Sequence, residues 1–262
     1  MEKAFIFRTR PKKMDPEEFV KISRTLDVSE KLMESEEGLA MHDGMRSLVY
    51  SQPGTKFGGL LFFTDQSQSL GAPSRKLVEV EEAKSWAEEF LKGFDLLPHR
   101  SRDERISFEM ALSTSPTNGI IFDGREKQKI PVNMALTSRM TLNGIPVTGP
   151  RAKIRMAFKE RANPIMIHRG LWQDIEVYED IDIVPEEEIA KAVTERLALR
   201  RSRRKNFRMV DIKLAYFADE FCAEPDLLAP FYFVEVAFAD PQAEELGIKE
   251  GPRQMIQLPA YR

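Results

Sequence analysis

Residues 132–158 read VNMALTSRMTLNGIPVTGPRAKIRMAF, and the pattern in this stretch decides the kind of fold the chain can adopt. Val132, Met134, Leu136, Met140 and Leu142 alternate with Asn133, Ala135, Thr137, Arg139 and Thr141. A period of two with one apolar side is that of a half-buried antiparallel strand. Asn143-Gly144 has the residue types that a tight hairpin turn requires, because both central positions need positive φ. After the Pro-rich segment Ile145 to Pro150, the residues Ala152, Ile154, Met156 and Phe158 alternate with Arg151, Lys153, Arg155 and Lys159. The return strand is therefore apolar on one side and basic on the other.

The same reading extends toward the N-terminus. Lys3 to Thr9 reads as a strand. Asp15-Pro16-Glu17-Glu18 then announces a helix ending near Leu26, with a capping Asp, Pro in the first turn and acids against the positive end of the dipole. Three short strand-like runs between Gly38 and Thr64 are separated by the turn dipeptides Asp43-Gly44 and Pro53-Gly54, which predicts a meander. From Val80, the positions Ala83, Trp86, Ala87, Phe90, Leu91 and Phe94 fall on one broad face of an amphipathic helix. Pro98 and the polar stretch His99 to Arg105 break both periodicities and are taken as a linker.

In the second half, Ile106 to Leu112 reads as a strand followed by a Gly- and Lys-containing loop ending near Pro131. Ile165 to Arg169 is a further strand, and Pro185-Glu186-Glu187-Glu188 opens a helix with Ile189, Val193 and Leu197 at spacing four. Two strands, Phe207 to Ala218 and Pro230 to Phe238, precede a tail rich in Pro, Gly and Gln. The expectation is an α+β protein of two lobes, residues 1–100 and 101–240, each an antiparallel sheet with amphipathic helices packed on one face. Residues 241–262 are expected to form a C-terminal tail.

The 262 residues are 42% hydrophobic and 31% charged, the composition of an ordinary globular chain. The formal charge of −3 supplies no global positive field for nucleic acid. The longest apolar run, near Gly58 to Phe63, is too short to cross a bilayer, and Met1-Glu2-Lys3 leads straight into Ala4-Phe5-Ile6-Phe7 rather than a signal-peptide core. A soluble chain without an export signal is the expectation. Cys222 is the single cysteine, so no intrachain disulfide forms and no paired-Cys zinc site exists.

The residues Leu142-Asn143-Gly144-Ile145-Pro146-Val147-Thr148-Gly149-Pro150-Arg151-Ala152-Lys153-Ile154 resemble the strand-turn-strand signature of PepSY-like and YycI-like modules. The helix beginning Glu81-Glu82-Ala83, the helix from Glu186 to Leu197 and the closing Leu228-Ala229-Pro230-Phe231-Tyr232-Phe233 echo the same pattern, over residues 80 to 238. The resemblance implies small antiparallel sheets with helices on one face, an extracytoplasmic setting, and a binding or inhibitory role toward a peptidase or a sensor kinase. It carries no catalytic residues, and a membrane anchor like that of YycI-like proteins is not expected from these residues. Without the resemblance, a cytoplasmic location fits as well.

No constellation of chemistry stands out. His42, His99 and His168 are far apart and lack ligand spacing, so neither a metal nor another cofactor is expected. There is no G-x-S-x-G elbow and no phosphate-binding Gly-rich loop. Cys222 sits among Asp219, Glu220, Glu224 and Asp226, which oppose thiolate formation. Arg200-Arg201-Ser202-Arg203-Arg204-Lys205 complements a helix C-terminus. Joined to Arg151, Lys153 and Arg155, it would instead give a basic patch for an anionic partner. The aromatics Trp172, Tyr178, Phe217 and Tyr232 either line the open face of a sheet or fill the core beneath a helix. The reading is a non-catalytic module binding another protein or peptide through Trp172, Tyr178, Phe217, Tyr232, Arg151, Lys153 and Arg155. The alternative is an enzyme or small-ligand binder with a pocket between sheet and helices, drawing on Glu109, Arg139, Arg155 and His168.

Overall fold

The computed structural model describes residues 3–55, 58–68, 74, 76–99, 101–123, 126–170, 172–199, 207–218, 227–238 and 252–262. The meander comes first. After β1 (Lys3–Pro11) and α1 (Pro16–Thr25), strands β2 (Met33–Glu34), β3 (Gly38–His42), β4 (Arg46–Ser51) and β5 (Leu61–Asp65) run antiparallel in chain order. Asp15 caps α1 as its sequence promised, its side chain accepting from the Glu18 amide at 2.8 Å. The amphipathic helix α2 (Val80–Gly93) buries Ala83, Ala87, Phe90 and Leu91.

The predicted loop between Leu112 and Pro131 is strand. β6 (Phe108–Asp123) and β7 (Glu126–Leu142) pair along their whole length, from Phe108 opposite Leu142 to Asp123 opposite Glu126. Pro116, Gly119 and the lysines imitate a loop in composition, but cross-strand pairing, with one register shift between Thr117 and Asn118, carries them in the ladder. At Asn143-Gly144 both φ angles are positive, 52° and 78°, and the chain reverses into β8 (Ile145–Thr148). A short 3-10 turn, Pro150–Ala152, leads to β9 (Ile154–Phe158) and β10 (Pro164–Arg169). Then follow β11 (Trp172–Asp182), α3 (Glu186–Leu199), β12 (Phe207–Phe217), β13 (Leu227–Phe238) and β14 (Arg253–Pro259). The last is a finding against the expected tail, since it pairs with β13 over seven residues.

Two separate lobes do not form. The fourteen strands make one large mixed sheet, ordered β11-β1-β13-β12-β8-β7-β9-β10-β5-β4-β3-β2, with β6 on β7 and β14 on β13. Strands from before and after residue 100 alternate in it, as β10 lies on β5 and β1 on β11. Strand is the dominant element, and only three α-helices occur among the described residues. The α+β expectation of two helix-backed sheets is thus corrected. Periodicity reports which side of a strand is buried but not which strand lies beside it, because the ladder is made by backbone groups common to all residues.

The sheet forks at β7. One edge of β7 carries β6, while the other is shared between β9, opposite Met134 to Thr137, and β8, opposite Met140 to Leu142. From β8 the sheet crosses to β12 through a parallel pair, Tyr216 with Val147 and Phe217 with Thr148. Gly149 closes this junction. Its φ is +109°, and a Cβ there would lie 2.3 Å from the carbonyl oxygen of Ala218.

All three helices lie on one face of the sheet. Phe19 and Ile22 of α1 and the buried residues of α2 join Leu48, Leu136, Ile154, Tyr216 and Leu228 in a first core. Ile189 and Val193 of α3 meet Tyr232, Val234, Val236 and Ile256 in a second core. Paired residues point to the same side of a sheet, so Val147 and Tyr216, both packed on the first core, set the side. Alternation along β12 then brings Leu214 and Ile212 to the second core on that same side. Arg169, 1% exposed, ties the seam by donating from Nε to the Leu96 carbonyl at 3.0 Å and from its Nη atoms toward the Gly59 and Trp172 carbonyls. Burial pushes its guanidinium down to about 10 and the nearby Tyr50 hydroxyl up to about 12.

Candidate functional site

The face away from the helices carries an aromatic cluster that belongs to neither core. Along β13, Tyr232, Val234, Val236 and Phe238 point into the second core, so Phe231, Phe233 and Glu235 point to the other side. Along β12, Ile212, Leu214 and Tyr216 face the cores and Asp211, Lys213, Ala215 and Phe217 face away. Ile256 and Leu258 of β14 face inward, leaving Met255 and Gln257 outward. The register stacks these outward residues in rows: Ala215, Phe231 and Pro259; Lys213, Phe233 and Gln257; Asp211, Glu235 and Met255.

Phe217 is the hub of the cluster. Its ring meets Phe231 at 6.2 Å and 76°, and Phe233 at 5.5 Å and 66°. Both are edge-on contacts of the kind that aromatic quadrupoles favour. The three rings are half-buried, and Met255 beside them is 57% exposed. Ion pairs border the rings. Lys213 pairs with Asp211, whose hydrogen bond holds the ammonium above its usual range, and Arg253 Nη1 donates to Glu235 Oε1 at 2.8 Å. An apolar centre with a charge-balanced polar rim is the anatomy of a protein-binding surface.

The open face continues across the fork. Ala40, Val49, Phe62, His168, Arg155, Thr137 and Ser113 form one cross-strand row from β3 to β6. Arg155 and His168 are therefore direct neighbours, and Arg139 and Glu109 share their side of the sheet. The four polar residues proposed for a catalytic pocket lie on a broad surface, with Glu109, Arg139 and Arg155 exposed and His168 half-buried. None of them lines the cavities beside Trp172, at the end of α1, beside Pro185 or beside Leu197.

Of the residues singled out from sequence, Phe217 stands in the cluster. Trp172 is 4% exposed in the first core, and Tyr232 is 6% exposed in the second, its hydroxyl donating to the Val184 carbonyl at 3.0 Å. Neither is available to a partner. Tyr178 is exposed on β11 under the Arg8 guanidinium, 4.5 Å from its ring centre, away from the cluster's strands. Arg151 turns its guanidinium to the Gly58 carbonyl at 3.1 Å, while Lys153 and Arg155 are exposed. The Arg200 to Lys205 run and Cys222 with its acidic neighbours lie outside the described residues.

Phe231 and Phe233 escaped notice because three aromatics in succession hide the period of two. Glu235 held the missing signal. A charged residue between Val234 and Val236 marks the outer side, and counting back by two assigns Phe233 and Phe231 to it.

A polar cluster joins the end of α2 to β11. His99 Nδ1 lies 3.0 Å from Asp174 Oδ1, and its Nε2 lies 3.1 Å from both Asp95 carboxylate oxygens. Gln173 Nε2 donates to Asp95 at 2.6 Å, and the His99 amide to the Gln173 carbonyl at 2.7 Å. The Asp95 hydrogen bond, then that of Asp174, raises the imidazole above its ordinary range. His99, in the stretch read as a linker, is thus fastened to β11. Among the described residues no group of His, Cys, Asp or Glu is placed to hold a metal ion, and no helix is long and apolar enough to cross a membrane.

No family model matches the chain, and no curated protein matches it. Among solved structures, an uncharacterized protein from Eubacterium rectale ATCC 33656, a crystal structure at 1.45 Å resolution, is similar with a TM-score of 0.46 and 13% identity, over 99% of this chain and 84% of that one.

Proposed function

We propose that this protein is a non-catalytic binding module that docks another protein or an extended peptide on the open face of β12, β13 and β14. The observation that carries this reading is the Phe217, Phe231 and Phe233 cluster, which packs in neither core yet sits on a rigid sheet. Aromatics that stay partly exposed at the centre of a polar rim are the usual anchors of an interface. The cations nearest the rings, Lys213 and Arg253, are already neutralised by Asp211 and Glu235. Phosphate binding calls for cations without such partners, so the surroundings favour a protein surface over a nucleic acid. The PepSY-like resemblance of Leu142 to Ile154 points toward the same class of role.

The test is selection of a displayed random-peptide library on the immobilised protein, followed by binding of the selected peptides to a Phe231→Thr, Phe233→Thr variant. Threonine keeps the strand preference, so the variant stays folded, at a cost under about 1 kcal/mol for each site. The expected result is binders whose affinity falls about thirtyfold or more in the variant, the scale of interface anchors. Binders indifferent to the variant, or no binders, would remove the reading.

A further inference from the structure

Apart from the open face, one cavity brings together polar groups that the fold leaves unused. It measures about 110 Å³ and lies at the C-terminal end of α1, between the helix and the β5 and β10 side of the sheet. Leu26, Phe63 and Pro164 give it apolar walls. Its floor is the buried Asp65 carboxylate, 3.6 Å from Arg46 Nε and held by the Ser67 amide at 2.9 Å. Arg46 is thereby balanced, since Asp43 also stands 3.9 Å from its Nη1 and the Asp27 carbonyl accepts from it.

What remains is one charge of each sign. Arg161 and Asp27 are both among the residues that line the cavity, and neither has an ion pair or side-chain hydrogen bond among the described residues. Asn163 and Gln68 line it in the same condition. Asp27 lies at the negative end of the α1 dipole, which adds to its attraction for a cation. Arg161 comes from the β9–β10 turn and offers the planar fork that matches a carboxylate.

From this juxtaposition we infer that the cavity is a binding site for a small zwitterion of the free amino acid class, its carboxylate on Arg161 and its ammonium on Asp27. Size agrees with that class. At roughly 30 Å³ for each water, the space of about 110 Å³ holds on the order of four waters, which suits a small amino acid and not a nucleotide. The site is separate from the aromatic face, so either assignment stands without the other.

The test is calorimetric and NMR titration of the whole chain with L-alanine and L-serine, with propionate and ethylamine as single-charge probes. The expected result is saturable binding of an amino acid with shifts at Arg161 and Asn163, weakened about tenfold or more by Arg161→Gln and by Asp27→Asn, and likewise for the single-charge probes. Both positions are exposed, and Asn accepts the φ of 55° at position 27, so the variants keep the melting temperature. No saturable binding, binding indifferent to both variants, or propionate binding as well as alanine would overturn the inference.

Discussion

Strands β12 and β13 carry aromatic residues on both faces, and the two sets have opposite fates. On the helix side, Tyr216 and Tyr232 are buried, and each hydroxyl has a backbone partner: Tyr216 accepts from the Phe5 amide at 3.4 Å, and Tyr232 donates to Val184. On the other side, Phe217, Phe231 and Phe233 touch one another and stay half-exposed. The difference teaches that residue type does not choose the role. A tyrosine can be buried where its polar tip finds a partner, while phenylalanines stand outside because the period of two leaves them there.

Substitutions can break this contrast in order of size. Tyr216→Ala removes a ring from the first core and is expected to cost about 3–5 kcal/mol in urea unfolding, as core aromatic truncations do. Phe233→Thr on the opposite face is expected to cost under about 1 kcal/mol of stability, yet to lower affinity for a face-selected peptide by about 2 kcal/mol. A stability loss for Phe233→Thr equal to that of Tyr216→Ala would show that the outer face is covered. Tyr232→Phe keeps the ring but leaves the Val184 carbonyl without this donor, and is expected to cost about 1 kcal/mol.

The smallest effect belongs to exposed charge. The imidazole of His99 has a raised folded pKa, so the tie it makes to Asp95 and Asp174 stabilises fully below the unfolded value and is lost as pH rises through the folded one. The stability gap between the protein and His99→Gln is expected to be a few tenths of a kcal/mol near pH 5.5 and to vanish near pH 9, since solvent screens a half-exposed side chain. A gap that grows with pH would contradict the geometry. Buried Arg169 offers the contrast: its charge persists across that window, so Arg169→Gln should show a pH-independent loss.

Much of the local structure was legible in the sequence. The Asp15 cap and the Asn143-Gly144 turn act through contacts close along the chain, and the apolar stripes of α2 and α3 repeat with the helical period, which turn chemistry and periodicity report. The assembly of strands was not legible. The pairs β5 with β10 and β1 with β11, which merge the two expected lobes into one sheet, rest on backbone groups, as does the parallel pair of β8 with β12, where Gly149 admits the Ala218 carbonyl. β14 hid for a related reason: in Arg253-Gln254-Met255-Ile256-Gln257-Leu258 the inward side is Gln254, Ile256 and Leu258, of which only two are apolar, so the segment reads as polar. At the candidate site, Phe217 was found from its residue type, whereas Phe231 and Phe233 needed the alternation on either side of Glu235.

The most direct test of the two-faced sheet is solvent paramagnetic relaxation of assigned aromatic ring protons in the free protein. The account predicts strong attenuation of Phe217, Phe231 and Phe233 by a soluble paramagnetic cosolute, with Tyr216 and Tyr232 protected. Equal protection of all five rings would mean that the outer face is closed, and the binding surface proposed for it would not exist.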